Sequence, residues 1–181
     1  DGITFTFLNY VHPNTNPKIP KEASIFVSHF ELSDIIAAIK HHRERVDYLF
    51  VCPHWGGDFE GGWYPNPIQS QWAKQMIEAG ADAVIGHHSH TFQPWEKIGD
   101  KYVFHSLGNF CFADIPKFGY VVNREKSVDS AIVQVKIKDK NSPLDIQLIP
   151  IKNEDCHIKK SSGLPGMDQK NRFYQRLKKQ A

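Results

Sequence analysis

The sequence has few cysteines and little net charge, and it contains no long apolar run. Its three cysteines, Cys52, Cys111 and Cys156, lie far apart in a chain of 181 residues, so they show neither a CxxC metal knuckle nor a disulfide framework. A formal net charge of +2 gives no indication of a nucleic-acid partner. No apolar run approaches the roughly 20 residues that cross a bilayer. We therefore expect the chain itself to be soluble.

Several common catalytic motifs are also missing. The chain has no GxSxG elbow, no HExxH pair, no Walker loop and no cysteine and histidine at a recognisable catalytic spacing. Ser89 is flanked by histidines, but no sequence sign of an oxyanion hole accompanies it. These absences disfavour nucleophilic hydrolases, zincin-type proteases and P-loop enzymes.

The best-marked feature that is present is a strand, helix, strand unit. Residues 48–52 and 83–85 are short apolar runs without alternation, which is typical of strands covered on both faces. Between them, Asn66 is the predicted N-cap of a helix, Gln69 can return a hydrogen bond to the cap, and Gly80 ends the helix. The connection predicts that the two strands are parallel. The predicted fold class is α/β.

Weaker patterns predict the remaining elements. Ser33 is the expected N-cap of a further helix. Further strands are predicted over residues 3–7, 23–27, 94–98, 101–104, 128–138 and 145–151. Because the apolar content falls after Lys152, we expect one domain over residues 1–152. Residues 153–181 are then a polar, basic tail that is either solvated or a short helix.

Four of the ten histidines directly follow the two strands of this unit. His54 follows the first strand, and His87, His88 and His90 follow the second. Because the carboxyl ends of parallel strands meet at one edge of a sheet, the four imidazoles should converge on one rim. Imidazole is the commonest metal ligand in proteins, and a nitrogen-rich set favours Zn, Mn or Fe over Ca or Mg. We predict that His54, His88 and His90 bind one or two divalent ions.

Side chains near these histidines are candidates for catalysis or substrate contact. His87 and Asp58, the latter in a glycine-rich loop, are the candidate catalytic residues. The candidate substrate contacts are Trp55, Glu96 and Asn109. For Asn109, two other roles stay open: orienting a metal ligand by a hydrogen bond, and satisfying the backbone of its own loop.

Four segments, taken together, resemble a known family. They are Pro53–Gly56, the helix from Gln69 that leads into Gly-Ala-Asp at Gly80–Asp82, Gly-His-His-Ser-His at Gly86–His90, and Ser-Leu-Gly-Asn-Phe at Ser106–Phe110. In order and content they resemble the CapA family of capsule and poly-gamma-glutamate biosynthesis proteins, which is related to calcineurin-like metallophosphoesterases. The resemblance covers about residues 3 to 152. Ser89 stands where the family often has proline, and Asp58 where it often has glutamate.

The resemblance implies a fold as well as a site. It implies a four-layer α/β/β/α sandwich of the metallophosphoesterase type, of which this chain supplies the C-terminal half. The Gly-Asp and Asn motifs with which the family's N-terminal half supplies carboxylate and amide ligands have no counterpart here. We therefore expect an exposed apolar sheet face, and either a homo-oligomer or pairing with an N-terminal half. We also expect this chain alone to be inactive.

Two functional hypotheses from different classes follow from the resemblance. The first is a metal-dependent hydrolase of phosphoesters in which His54, His88 and His90 hold the ion. The alternative is a non-catalytic accessory component of an envelope polyglutamate-synthesis complex that grips an anionic polymer, and a degenerate fold kept for assembly is a third possibility. The resemblance also implies an extracytoplasmic location at the cell envelope, with membrane association through a segment outside this chain.

Overall fold

The computed structural model describes residues 2–15, 20, 22–24, 26–56, 62–113, 129–140, 142–154, 156–163 and 171. Two helices and eight strands lie in this part of the chain. In chain order the elements are β1 (Phe5–Val11), a 3-10 turn (Pro13–Thr15), α1 (Leu32–Arg43), β2 (Tyr48–His54), α2 (Pro67–Ala79), β3 (Ala83–Ile85), β4 (Trp95–Ile98), β5 (Lys101–Phe104), β6 (Asp129–Lys136), β7 (Asp145–Glu154) and β8 (His157–Lys160). Neither described helix is long and apolar enough to cross a membrane.

The strands form two sheets. The first has five strands in the order β1-β2-β3-β5-β4, with β1, β2, β3 and β5 parallel and β4 antiparallel to β5. The predicted parallel pairing of β2 with β3 and the predicted β4–β5 hairpin are both confirmed. The second sheet has three antiparallel strands in the order β6-β7-β8.

The five-stranded sheet is covered on both faces. On one face, Leu49 and Val51 of β2 pack in a core with both helices, α1 contributing Ile35 and Ile39. On the other face, residues of β2 and β3 pack with residues of β6, β7 and their connection; these are Tyr48, Phe50, Ala83, Val135, Leu144 and Ile146. Because alternate residues of β2 enter two different cores, its sequence shows no alternation. The predicted α/β class is confirmed, with the layers helix, sheet and sheet among the described residues.

Helix α2 has the predicted ends. The side chain of Asn66 accepts a hydrogen bond from the backbone N–H of Ile68 at 3.1 Å, and the side chain of Gln69 accepts one from the backbone N–H of Asn66 at 2.7 Å. Gly80 at the C-cap has φ = 122°, a backbone angle that favours glycine. The local sequence therefore fixes where this helix begins and ends.

Three local expectations differ from the structure. The N-cap of α1 is Glu31 and not Ser33, which lies within the first turn; the Glu31 side chain makes no cap hydrogen bond. No described residue of 23–27 lies in a strand, and the nearest pairing in that region is an isolated bridge between His29 and Val11. Strand β1 continues to Val11, because β2 runs beside it as far as His54.

The segment predicted as a polar tail begins with ordered structure. Strand β7 extends to Glu154, and β8 pairs with its end, from Glu154 opposite His157 to Ile151 opposite Lys160. The three-stranded sheet therefore extends past the expected boundary at Lys152. Residues 164–170 and 172–181 lie outside the described residues, so the alternatives for the tail stay predictions.

A buried aspartate joins four elements behind the sheet. Asp82, just before β3, accepts hydrogen bonds from Lys101 Nζ of β5 at 2.6 Å and from the backbone N–H of Leu49 at 2.8 Å, and its carboxylate also pairs with Arg43 of α1. The same guanidinium donates to the carbonyl of Gly80 after α2. The Asp82 side chain is 6% exposed. This structural role accounts for the aspartate of the Gly-Ala-Asp segment, and no catalytic role is needed to explain it.

Candidate metal centre

The ends of β2 and β3 bring histidines together at one edge of the sheet. His54 ends β2 and forms an isolated parallel bridge with His87, which follows β3. The backbone N–H of His87 donates to the carbonyl of Pro53 at 2.9 Å, and that of Trp55 donates to the carbonyl of His87 at 3.1 Å. The parallel pairing thus continues past both strands into the histidine segments.

The imidazoles of His54 and His88 are in direct contact. The Nε2 atom of His54 lies 3.2 Å from the Nδ1 atom of His88, and the ring centroids are 5.0 Å apart. Two nitrogens that each lie 2.0–2.1 Å from one tetrahedral ion are separated by about 3.3 Å. The spacing of this pair therefore fits two ligands of one ion.

The backbone is unusual at two of the predicted ligands. His88 has φ = 119° and His90 has φ = 57°, in the half of the map that residues other than glycine rarely adopt. Such conformations cost on the order of 1–3 kcal/mol each and concentrate at functional sites. A Cβ added at Gly56 would lie 3.2 Å from Cδ2 of His88, so glycine there lets the ring lie close against the backbone.

His90 is held by a separate partner. Its Nδ1 atom lies 2.6 Å from the side-chain oxygen of Asn109, and its ring meets Phe112 edge-on at 4.8 Å between centroids. An amide oxygen only accepts hydrogen bonds, so in this contact Nδ1 of His90 is the donor, and in the neutral ring Nε2 is then the nitrogen with a lone pair. Histidine ligands of metals commonly donate their other ring N–H in this way. Of the three roles left open for Asn109, the geometry favours orienting His90.

The electrostatic setting favours the neutral form of His54. Burial, and to a smaller extent the neighbouring His88, His87 and His90, together lower the pKa of His54 to about 4. A neutral imidazole is the form that binds a metal. At neutral pH the His54 ring is therefore uncharged, and one of its two nitrogens has a lone pair that can bind a metal.

The donor set in the described part of the chain is incomplete as a metal site. No group of three or more histidine, cysteine, aspartate or glutamate side chains there is arranged to hold a metal ion. His54 and His88 fit a shared ion, whereas His90 is positioned by Asn109 and is close enough to influence the pKa of His54. The described residues thus provide two nitrogen ligands, from His54 and His88, that could share one ion, and His90 is a nearby additional donor.

The other candidate residues occupy different settings. His87 is exposed on the rim. Trp55 is only 1% exposed and donates from Nε1 to the carbonyl of His105 at 3.0 Å, and Glu96 is 3% exposed with Oε1 2.9 Å from Nε2 of His105. Both therefore lie in the interior beneath the histidines. Asp58 lies outside the described residues.

The buried contact between His105 and Glu96 was not expected from the sequence. In the β4–β5 hairpin Glu96 lies opposite Val103, and His105 is two residues further along the chain, so the contact is a diagonal one that the hairpin register could have indicated. Gly86 lies against the same residue: a Cβ there would be 2.1 Å from the carbonyl oxygen of His105 and 2.4 Å from Nε1 of Trp55. Only glycine fits between these groups. Close packing against His105 and Trp55 thus explains why the Gly-His-His-Ser-His segment begins with glycine.

Comparison with known proteins gives a consistent result. The profile of the family described as bacterial capsule synthesis protein PGA_cap matches residues 2–114. The chain is 35% identical over 138 residues to the PGA biosynthesis protein CapA of Bacillus subtilis, a match that covers 76% of this chain and 31% of that protein. It is 31% identical over 148 residues to the capsule biosynthesis protein CapA of Bacillus anthracis, which covers 82% of this chain and 33% of that protein.

More distant relatives match a shorter part of the chain. A probable polyglutamine synthesis accessory protein of Mycobacterium tuberculosis is 30% identical over 76 residues, which is 42% of this chain and 20% of that protein. The matched length is thus about a third of either Bacillus relative, 31% and 33%.

Proposed function

The chain belongs to the bacterial capsule synthesis protein PGA_cap family, and from that premise we propose that it supplies part of a metal-dependent hydrolase site of the phosphoesterase type, acting in capsule or poly-gamma-glutamate biosynthesis. The observation that carries the proposal is the 3.2 Å separation of His54 Nε2 and His88 Nδ1 at the ends of two parallel strands. Ligand sites of parallel sheets lie at this edge. The positive φ angles of His88 and His90 give independent support.

In this proposal His54 and His88 hold a divalent ion, with Mn, Zn or Fe as the expected metals. A bound ion of this kind lowers the pKa of a bound water and stabilises negative charge on the transferred group. His90 offers Nε2 as a further nitrogen donor, because Asn109 fixes the proton on Nδ1. His87, which is exposed on the rim, is the proposed acid or substrate contact, a role proposed for Asp58 as well.

The site and the fold are proposed to be completed by a further part of the protein. The family resemblance assigns the carboxylate ligands to an N-terminal half, and it assigns the whole a four-layer sandwich. Support comes from edge strand β1, where Phe5 and Phe7 are 47% and 58% exposed and stack on Tyr48 and Phe50. Exposed aromatic side chains in a row are suited to burial by a further layer or a second copy of the chain.

The second candidate is an accessory role in which the domain grips an anionic polymer such as polyglutamate. The name of the Mycobacterium relative gives it a probable accessory role in polyglutamine synthesis. In the structure, Lys152 and Lys159 stand directly opposite each other on β7 and β8, with Lys160 next in the strand. Lys159 also pairs with Glu154 at 2.6 Å, and the carboxylates of a bound polymer would compete with that pair and relieve the repulsion between the two lysines. We place either activity at the cell envelope, reached through a segment outside this chain.

The test measures metal binding and then hydrolysis of a generic phosphodiester, both with the full-length protein, which includes the part proposed to complete the site. Calorimetric titration with Zn²⁺ and Mn²⁺ should show a site whose affinity falls by about 100-fold or more in His88→Ala. His41→Ala is the matched control, because His41 lies exposed on α1. Absence of metal binding by the wild-type full-length protein, or equal affinity in His88→Ala, would overturn the metal proposal.

A separate titration distinguishes the accessory role. Polyglutamate binding measured at low and high salt should weaken with salt if lysines grip carboxylates. Loss of that binding in Lys159→Gln, with metal affinity unchanged, would favour the accessory role over the enzyme. Unchanged polymer binding in Lys159→Gln would argue against the accessory role.

A further inference from the structure

Two of the three cysteines, far apart in the sequence, are neighbours in the structure. Cys111 and Cys156 are 45 positions apart, yet the Sγ atom of Cys111 lies 3.7 Å from the carbonyl oxygen of Cys156. Both residues are exposed thiols, whereas Cys52 is half-buried within β2. The spacing in the sequence shows no disulfide framework, but the fold brings these two cysteines together.

The two cysteine segments are held in register by hydrogen bonds. The backbone N–H of Cys156 donates to the carbonyl of Phe112 at 3.3 Å. The side chain of Asn153, at the end of β7, donates to the same carbonyl at 3.0 Å and accepts from the N–H of Phe112 at 3.3 Å. Asn153 is buried, with 6% of its surface exposed. Three hydrogen bonds thus fix the residue next to Cys111 against the β7–β8 turn.

The backbone of Cys156 is also unusual. It has φ = 63° in the short connection between Glu154 and His157, which pair with each other. Residues other than glycine, asparagine and aspartate are uncommon at such angles, and the cost is on the order of 1–3 kcal/mol. Cysteine is not among the residues that favour this angle, and the side chain of Cys156 is exposed.

We propose that Cys111 and Cys156 form an intramolecular disulfide when the chain meets a disulfide oxidant. Disulfides join cysteines whose Cα atoms lie about 4.4–6.8 Å apart. The hydrogen bond from Cys156 to Phe112, the neighbour of Cys111, and the 3.7 Å contact of the Cys111 Sγ atom with the Cys156 carbonyl hold the two cysteines beside each other. The site is a thiol oxidation site, distinct from the histidine rim and independent of any metal.

The reaction balances with a low-molecular-weight disulfide, for which glutathione disulfide is the probe. The thiolate of Cys111 attacks one sulfur of the probe, a mixed disulfide forms and one glutathione thiolate leaves. The thiolate of Cys156 then attacks the sulfur of Cys111 and releases the second glutathione. The protein loses two electrons, which the probe gains, and the two thiol protons are taken up by the two released glutathione thiolates.

The bond would brace the segment that supports His90. Asn109 and Phe112, which contact the His90 ring, flank Cys111 on either side. Linking Cys111 to Cys156 attaches this segment covalently to the three-stranded sheet. Oxidation would thus limit the movement of the segment that contacts His90, although neither cysteine is one of the rim histidines.

The experiment treats the folded chain with glutathione disulfide and maps the products by intact mass and tryptic peptides. The expected product has lost two hydrogen atoms and gives one linked peptide pair that contains Cys111 and Cys156, while Cys52 stays a thiol. Because the second thiol acts at an effective concentration of millimolar or more, the mixed disulfide with glutathione should be about tenfold less abundant than in Cys156→Ser. Cys111→Ser should likewise leave Cys156 as a mixed disulfide.

Three outcomes would overturn the proposal. They are two stable mixed disulfides on the wild-type chain, bonds between chains in place of the internal bond, and a bond that includes Cys52. The same mapping in denaturant is the control for folding, because the preference for the Cys111 and Cys156 pair should disappear when the chain is unfolded. A preference that persists in denaturant would show that the fold does not create the pair.

Discussion

The side-chain oxygen of Asn109 lies 2.6 Å from Nδ1 of His90, across 19 positions of the sequence. This contact sets the tautomer of the ring and leaves Nε2 as the available donor. Removing the acceptor lets the ring turn and lets either nitrogen carry the proton. The hydrogen bond therefore controls a property of the rim that the position of His90 alone does not determine.

The first prediction concerns Asn109→Ala. Loss of the acceptor should lower the affinity for Zn²⁺ by about 10–100-fold, as is typical when the partner of a histidine ligand is removed. Asn109→Asp keeps an acceptor oxygen at the same place and should retain most of the affinity. Calorimetric titration measures both, and nitrogen-15 spectra of the His90 ring in the metal-free chain report the tautomer. Equal tautomer populations in the wild type and Asn109→Ala would contradict the role of Asn109.

The second prediction concerns Gly86→Ala. The added Cβ would lie 2.1 Å from the carbonyl oxygen of His105 and 2.4 Å from Nε1 of Trp55, so the Gly86–His90 segment must move away from the core. We expect the free energy of unfolding to fall by about 3 kcal/mol. Gly163→Ala is the control, since a Cβ there meets no atom within 4 Å. Urea unfolding followed by tryptophan fluorescence measures the difference, and equal midpoints would show that the segment adapts without cost.

The sequence predicts those parts of this molecule that depend on local chemistry. The ends of α2 follow from Asn66, Gln69 and Gly80, because each acts on backbone groups within a few residues. The convergence of His54 with the His87 and His88 segment follows from one topological rule about parallel strands. Both expectations needed no knowledge of how distant side chains pack.

The remaining features depend on contacts between distant residues. Trp55 follows His54 directly and is therefore a candidate substrate contact by sequence. Its burial depends on Phe30, Trp72 and His105, which come from other parts of the chain. The proximity of Cys111 and Cys156 depends on the β7–β8 turn, in a segment whose composition indicated a tail. Spacing along the chain carries no signal for such contacts, because they arise only when sheets and loops have packed.

The third prediction concerns Asp82→Ala. Its carboxylate is 6% exposed and pairs with Arg43 and Lys101, whose side chains are 27% and 32% exposed. Removing it leaves two cations without their shared anion and the N–H of Leu49 without its acceptor, so the free energy of unfolding should fall by about 3 kcal/mol. Thermal and urea unfolding measure the loss.

The matched control for this variant is Asp100→Ala. Asp100 lies 4.0 Å from the same Lys101, but its side chain is 61% exposed. Its removal should change the free energy of unfolding by less than about 0.5 kcal/mol. Comparable losses in both variants would show that charge alone, and not the buried network, accounts for the effect of Asp82.

The last prediction concerns thiol reactivity and its dependence on pH. Burial raises the pKa of Cys52 to about 11. Below that pKa the thiolate fraction of Cys52 rises about tenfold for each pH unit, so its alkylation should be slow at pH 8 and should accelerate in that proportion up to the pH at which the chain unfolds. The exposed Cys111 and Cys156 should react first. Iodoacetamide labelling of the reduced, folded chain, read by peptide mass spectrometry, measures the three rates. In denaturant the difference should vanish, and a native Cys52 that reacts at pH 8 as fast as Cys111 would show that the β2 strand end is open to solvent.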